Sequence, residues 1–146
     1  MLENISRYIT PDIYKVLYFA GHQDEIVIAD ANYPSYAMCN IVIRSECPDN
    51  SLLLGAILQY LPIDNDRESP FTLFNVEDAH YKESPLMIEI FQKVLKESVR
   101  RNPDINYINK KEFYERSKKA YALIQTSDYR PFATVLVTKG MILNEY

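Results

Sequence analysis

Gly21-His22-Gln23-Asp24-Glu25-Ile26-Val27-Ile28-Ala29-Asp30-Ala31-Asn32-Tyr33-Pro34 is the stretch that decides the fold. Ile26 to Ala29 is four apolar residues without alternation, as in a strand buried on both faces. Asp30 follows at once, at a depth where a charge is costly unless paired. In open α/β sheets, ligands lie beyond the carboxyl ends of strands. Asp30 is therefore a site candidate by position alone.

Upstream, Thr10-Pro11-Asp12 is a helix start: a capping hydroxyl, a proline in the first turn, then an acid. Ile13, Val16, Leu17 and Ala20 form one apolar stripe. Gly21 stands where a helix ends in the left-handed conformation, which puts His22 just past a helix C-terminus. The negative end of the dipole favours imidazolium there. A polar loop histidine is the plainer reading, and spacing leaves both open.

Downstream, Ile41-Val42-Ile43 reads as a short strand. Asp49-Asn50-Ser51 opens a helix to Leu61, stopped by Pro62 and apolar nearly all round. That face exceeds the need of one small core and points to a homo-oligomer. Phe71 to Val76 is a strand, and His80 reads as a surface histidine. Ser84-Pro85 starts a helix whose stripe is Leu86, Met87, Ile90, Phe91, Val94 and Leu95, stopped at Asn102-Pro103. Ile105 to Ile108 is a strand. Asn109-Lys110-Lys111-Glu112 is a capping box, with Lys110 first in a helix to about Lys119. A cation there opposes the dipole, a local cost that a binding role justifies. A solvated lysine is the alternative. Tyr121 to Thr126 and Phe132 to Thr138 are strands whose short connection permits a hairpin. Six strands interleaved with four helices predict an α/β fold with a mixed central sheet, a single three-layer domain over residues 1–146.

The totals narrow the function. A chain of 146 residues, 47% hydrophobic and 25% charged, is a globular domain that needs no staples. A net charge of -4 offers no basic face for nucleic acid. No apolar run is long enough to span a membrane, and the start does not read as a signal peptide. Cys39 and Cys47 form no close motif, as expected of reduced thiols in the cytoplasm. Three glycines supply no phosphate-cradling loop, and two separated histidines give no metal-ligand spacing. An imidazole, a carboxylate and a lysine among 12 tyrosines remain. That set suits proton shuttling on a small polyhydroxy ligand, and equally plain binding.

Thr10-Pro11-Asp12, Lys15-Val16-Leu17 and the run from Gly21 to Pro34 resemble the opening of the L-fucose mutarotase / D-ribose pyranase family (RbsD/FucU). Ile108-Asn109, Glu112 to Arg116, Lys119-Ala120 and Gly140 resemble its later part, on the fucose side. The resemblance implies ring-like homo-oligomers, often decamers. It implies an isomerase that interconverts anomers and ring forms of free monosaccharides without a cofactor. His22 then matches the acid/base, Asp30 the sugar-binding acid, and Lys110 a position where the family places His or Arg. Four departures stand out. Gln23 replaces a small residue, and Lys110 keeps the charge but loses the planar fork of Arg. Phe132 and Thr134 take the places of a Tyr and an Asn that the family uses on the sugar. The expectation is a mutarotase of L-fucose or a related sugar with Phe132 and Thr134 facing it. The alternative is a weakly active or inactive sugar-binding accessory protein.

Overall fold

The computed structural model describes residues 3–64, 69–75, 84–98 and 104–142, with the backbone alone for 84–86. His80, Val76 and the expected stop at Asn102-Pro103 lie outside the described residues.

Thr10 caps the first helix, α1 (Pro11–Phe19), its hydroxyl accepting from the Ile13 N–H at 3.3 Å. Ile13, Val16 and Leu17 are its buried stripe. The helix does not end on a left-handed Gly21. Ala20 leaves in an extended conformation, and the Gly21 N–H donates to the Asp24 carboxylate at 2.6 Å. The left-handed residue is Gln23, at φ 67°. Its N–H donates to the Lys139 carbonyl and the Lys139 N–H to the Asp24 carbonyl, which together fix this turn.

The remaining elements are β1 (Glu25–Ala29), α2 (Ser35–Met38), β2 (Val42–Arg44), α3 (Asn50–Ile57), β3 (Phe71–Phe74), α4 (Ser84–Ser98), β4 (Ile105–Ile108), α5 (Lys110–Lys119), β5 (Ala122–Gln125) and β6 (Val135–Thr138). All six strands share one sheet in the order β2-β5-β1-β6-β3-β4. β6 runs antiparallel to both of its neighbours, while the β1-β5, β2-β5 and β3-β4 pairs are parallel. The permitted hairpin does not form, because β1 lies between β5 and β6. The single turn of α2 is too short for its sequence to show a helical period.

Successive strand residues face opposite layers. Ile26 and Ile28 join the core under α1, α3 and α4. Val27 and Ala29 join a second cluster with Phe113 of α5, completing three layers. Each fully buried Ile or Leu contributes about 1.5–3 kcal/mol. The apolar run of α3 is absorbed by this core. Leu53, Leu54, Ala56, Ile57, Leu58 and Leu61 are buried, and only Leu52 and Tyr60 of that run are exposed. The argument for an oligomer from that helix therefore fails. Gly140 is required where it stands, because a Cβ there would collide with the Ile63 backbone carbonyl. No helix among the described residues is long and apolar enough to cross a membrane.

Candidate functional site

The parallel strands end together at Ala29, Arg44, Phe74, Ile108 and Gln125, and β6 begins at that same edge. A cavity of about 290 Å³ opens there. Asp30, Asn32 and Lys110 give it polar groups, and Tyr33, Phe74, Tyr114, Pro131 and Phe132 give it an apolar wall.

Asp30 is 6% exposed. Its Oδ1 accepts from the Asn32 N–H at 2.9 Å, and its Oδ2 accepts from the Thr134 hydroxyl at 2.8 Å. Burial pushes its carboxyl above the ordinary value; the Thr134 and Asn32 hydrogen bonds oppose that push, and nearby Asp128 adds to it. Lys110 enters from the first turn of α5, where Asn109 accepts from the Glu112 N–H at 3.0 Å. Its ammonium lies 5.5 Å from the centre of the Tyr114 ring.

The wall is aromatic and interlocked. Phe74 stacks on Phe113 at 4.2 Å, and Phe132 meets Phe74 edge-on at 5.5 Å. Phe132 is held at φ 60°, which is why β6 begins only at Val135 rather than at Phe132. Tyr33 offers the cavity its ring and not its hydroxyl. That hydroxyl lies 2.6 Å from Ser117 Oγ, and Ser117 itself donates to the Phe113 carbonyl. The Tyr33 phenol is therefore the donor, and burial raises its pKa.

The loop from Thr126 to Thr134 is clamped from behind. Arg130 donates to both oxygens of the fully buried Asp128, at 2.9 and 2.6 Å, and to Asp49 at 2.7 Å. Burial alone would raise the Asp49 carboxyl, but hydrogen bonds from Ser51 and Arg130 hold it below its ordinary value. Asn50 donates through its backbone to Asp128 and through its side chain to the Ala133 carbonyl. On the other side, Gln125 donates to the Ala31 and Tyr33 carbonyls and is itself held by Arg44. Sequence reasoning missed both devices. Their signals were an Asp128–Arg130 pair inside a loop and a Gln at a strand end, neither distinctive alone.

The structure brings Asp30, Lys110 and Phe132 to one cavity. Thr134 is fully buried behind Asp30 and does not line it, because its hydroxyl is engaged by the Asp30 carboxylate. His22 is at the other end of β1, exposed beside a second cavity of about 490 Å³ lined by Tyr14, Tyr18, Tyr60, Lys139 and Ile142 among others. The C-terminal carbonyls of α1 are taken by Lys139, whose ammonium reaches Leu17 and Ala20 at 2.9 and 2.5 Å. Among the described residues no group of three His, Cys, Asp or Glu side chains could hold a metal ion.

Comparison with known proteins gives a consistent picture. The model of the RbsD / FucU transport protein family matches residues 3–142. The chain is 32% identical to the fucose mutarotase of Mus musculus, with 97% of this chain and 95% of that protein covered. It matches a solved fucose mutarotase in complex with L-fucose from Streptococcus pneumoniae, with a TM-score of 0.90 and 34% identity over 97% of this chain and 100% of that one. Bacillus subtilis RbsD, solved with D-ribose, shares the fold, with a TM-score of 0.76 at 20% identity over 98% and 100% of the two chains.

Proposed function

The chain belongs to the RbsD / FucU transport protein family, and from that premise we propose that it is an isomerase that interconverts the anomers of free L-fucose or a related monosaccharide. Pyranose–furanose exchange is open to the same chemistry. The observation that carries the reading is the cavity that joins a buried carboxylate, a lysine and an aromatic wall at the strand ends. Sugars present hydroxyls on their edges and C–H groups on their faces. Asp30 accepts a hydroxyl as a charge-assisted acceptor, Lys110 donates to an oxygen, and Phe132 and Tyr33 cover the apolar face.

Ring opening removes the proton of the anomeric hydroxyl and delivers one to the ring oxygen as the C1–O bond breaks. The open aldehyde turns about its C1–C2 bond and recloses on the other face, with the proton transfers reversed. An imidazole can both take and give a proton, which supports His22 as the acid/base. No covalent link to the protein and no cofactor is needed in this scheme.

The five residues of β1 separate His22 from Asp30 by about 15 Å or more, at ~3.3 Å per residue. One sugar does not span that distance. The reading therefore requires a second copy of the chain, whose His22 end docks on this Asp30 cavity. The His22 end carries exposed Tyr14, Tyr18, Phe19, Met141 and Ile142, an apolar surface suited to an interface. A contact between opposite ends of two copies is head-to-tail and closes into a ring when the rotation allows.

Saturation-transfer NMR on L-fucose, D-ribose, D-galactose and L-rhamnose tests the function. Exchange between anomer signals above the buffer rate marks the enzyme. Line broadening without exchange marks an accessory binding protein and overturns the proposal.

A further inference from the structure

Thr134 stands at the entry to β6, fully buried, with its hydroxyl between two atoms of one residue. The Asp30 N–H donates to Thr134 Oγ1 at 3.1 Å, and Oγ1 lies 2.8 Å from Asp30 Oδ2. A hydroxyl has one proton and can both donate and accept. The amide fixes Oγ1 as an acceptor on one side, so with Asp30 ionised the hydroxyl proton points at the carboxylate. The other carboxylate oxygen is held by the Asn32 N–H at 2.9 Å. An ionised carboxylate has about four acceptor sites. Among the described residues, the Asn32 N–H takes a place on one oxygen and the Thr134 hydroxyl a place on the other, and the same carboxylate lines the cavity.

Resting on the reading of this cavity as a sugar site, we infer that Thr134 is a positioning residue: it acts through Asp30, fixing the orientation and charge of the carboxylate, and does not itself touch the sugar. Other groups set that charge as well. Asp128, from the loop clamped by Arg130, opposes ionisation, as does burial. Lys110 of α5 faces the same cavity as a cation, Tyr114 lines it, and Tyr33 lines it with its ring while its phenol is turned to Ser117. The Thr134 hydroxyl and, more weakly, the backbone N–H groups of Asn32 and Asp30 favour the ionised form directly.

The test compares wild type, T134V and T134S, with the Asp30 carboxyl followed by ¹³C NMR against pH and with KM and kcat measured for L-fucose anomer exchange. Valine keeps the shape and removes the hydroxyl. The expected result is an Asp30 midpoint that rises in T134V and stays near wild type in T134S. KM should rise about tenfold or more in T134V, as for a lost hydrogen bond to a charged group, and return with serine. Should T134V not fold, T134C takes its place with the same expectation, since S–H is only a weak donor. An Asp30 midpoint that does not move, or T134S as impaired as T134V, overturns the inference. A wild type without catalysed exchange overturns the sugar reading alone, because the titration still judges the role of Thr134.

Discussion

His22 and Asp30 stand at opposite ends of the central strand β1, one exposed beside the α1 C-terminus and the other buried at the cavity. The sequence places the two on either side of one strand, and the structure keeps them apart by the length of β1. In the proposed scheme each chain therefore carries half of a site at either end of this strand.

His22→Ala is expected to abolish catalysed exchange of L-fucose anomers while leaving the fold intact. An exposed residue outside the core carries little packing. NMR exchange and a thermal melt check the two halves of that statement. Exchange rates equal to wild type would remove His22 from the mechanism.

Asp30→Asn is expected to stabilise the protein and to lose sugar binding. Burial holds the Asp30 carboxyl above its ordinary 3.8, so the folded state binds that proton more tightly than the unfolded chain does. Ionised Asp30 therefore costs stability at about pH 7, and the cost fades as pH falls through the folded-state value. Melting curves should place Asp30→Asn above wild type near neutrality, with the gap narrowing in acid. A variant less stable than wild type at neutral pH would reverse the sign of this account.

Phe132→Tyr is expected to raise exchange on L-fucose. The ring lines the cavity, and a phenol in its place adds one neutral hydrogen bond. At ~0.5–1.5 kcal/mol, that is roughly 2- to 13-fold in rate if the bond is made in the transition state. The partner change Thr134→Asn is not expected to help, because it disturbs the hold on Asp30. Slower exchange in Phe132→Tyr would mean that the apolar wall is itself fitted to the substrate.

Arg130→Met is expected to destabilise the chain by about 3 kcal/mol, since it strands a buried carboxylate. Asp128 has no exposure and takes two hydrogen bonds from the Arg130 side chain. The clamped loop carries Phe132, so activity should fall as well. Urea unfolding gives the first number; a change below about 1 kcal/mol, the scale of surface pairs, would show that the clamp is incidental.

Much of the architecture was legible because local signals agreed with tertiary ones. The Thr10 and Asn109 caps, the apolar run of β1 and, in α4, the buried Met87, Phe91 and Leu95 each appear where their patterns place them. What was not legible depended on neighbours distant in sequence. Nothing local to Tyr121–Thr138 reveals that β1 inserts between β5 and β6. The apolar excess of α3 read as an interface because the sequence does not show how much of that helix the sheet and α4 would cover. Thr134 read as a sugar contact because the resemblance sets it where the family has an Asn, whereas its hydrogen bond to Asp30, across 104 residues, is not visible in the sequence.

The shared site is tested most directly by mixing. His22→Ala and Asp30→Asn proteins, each expected to be inactive alone, are combined in equal amounts, dissociated and reassembled, and L-fucose anomer exchange is measured. Random head-to-tail assembly unites an intact His22 with an intact Asp30 cavity at about one quarter of the sites. The account predicts about a quarter of the wild-type exchange rate. Exchange no faster than in buffer, from a mixture shown to have co-assembled, would contradict it.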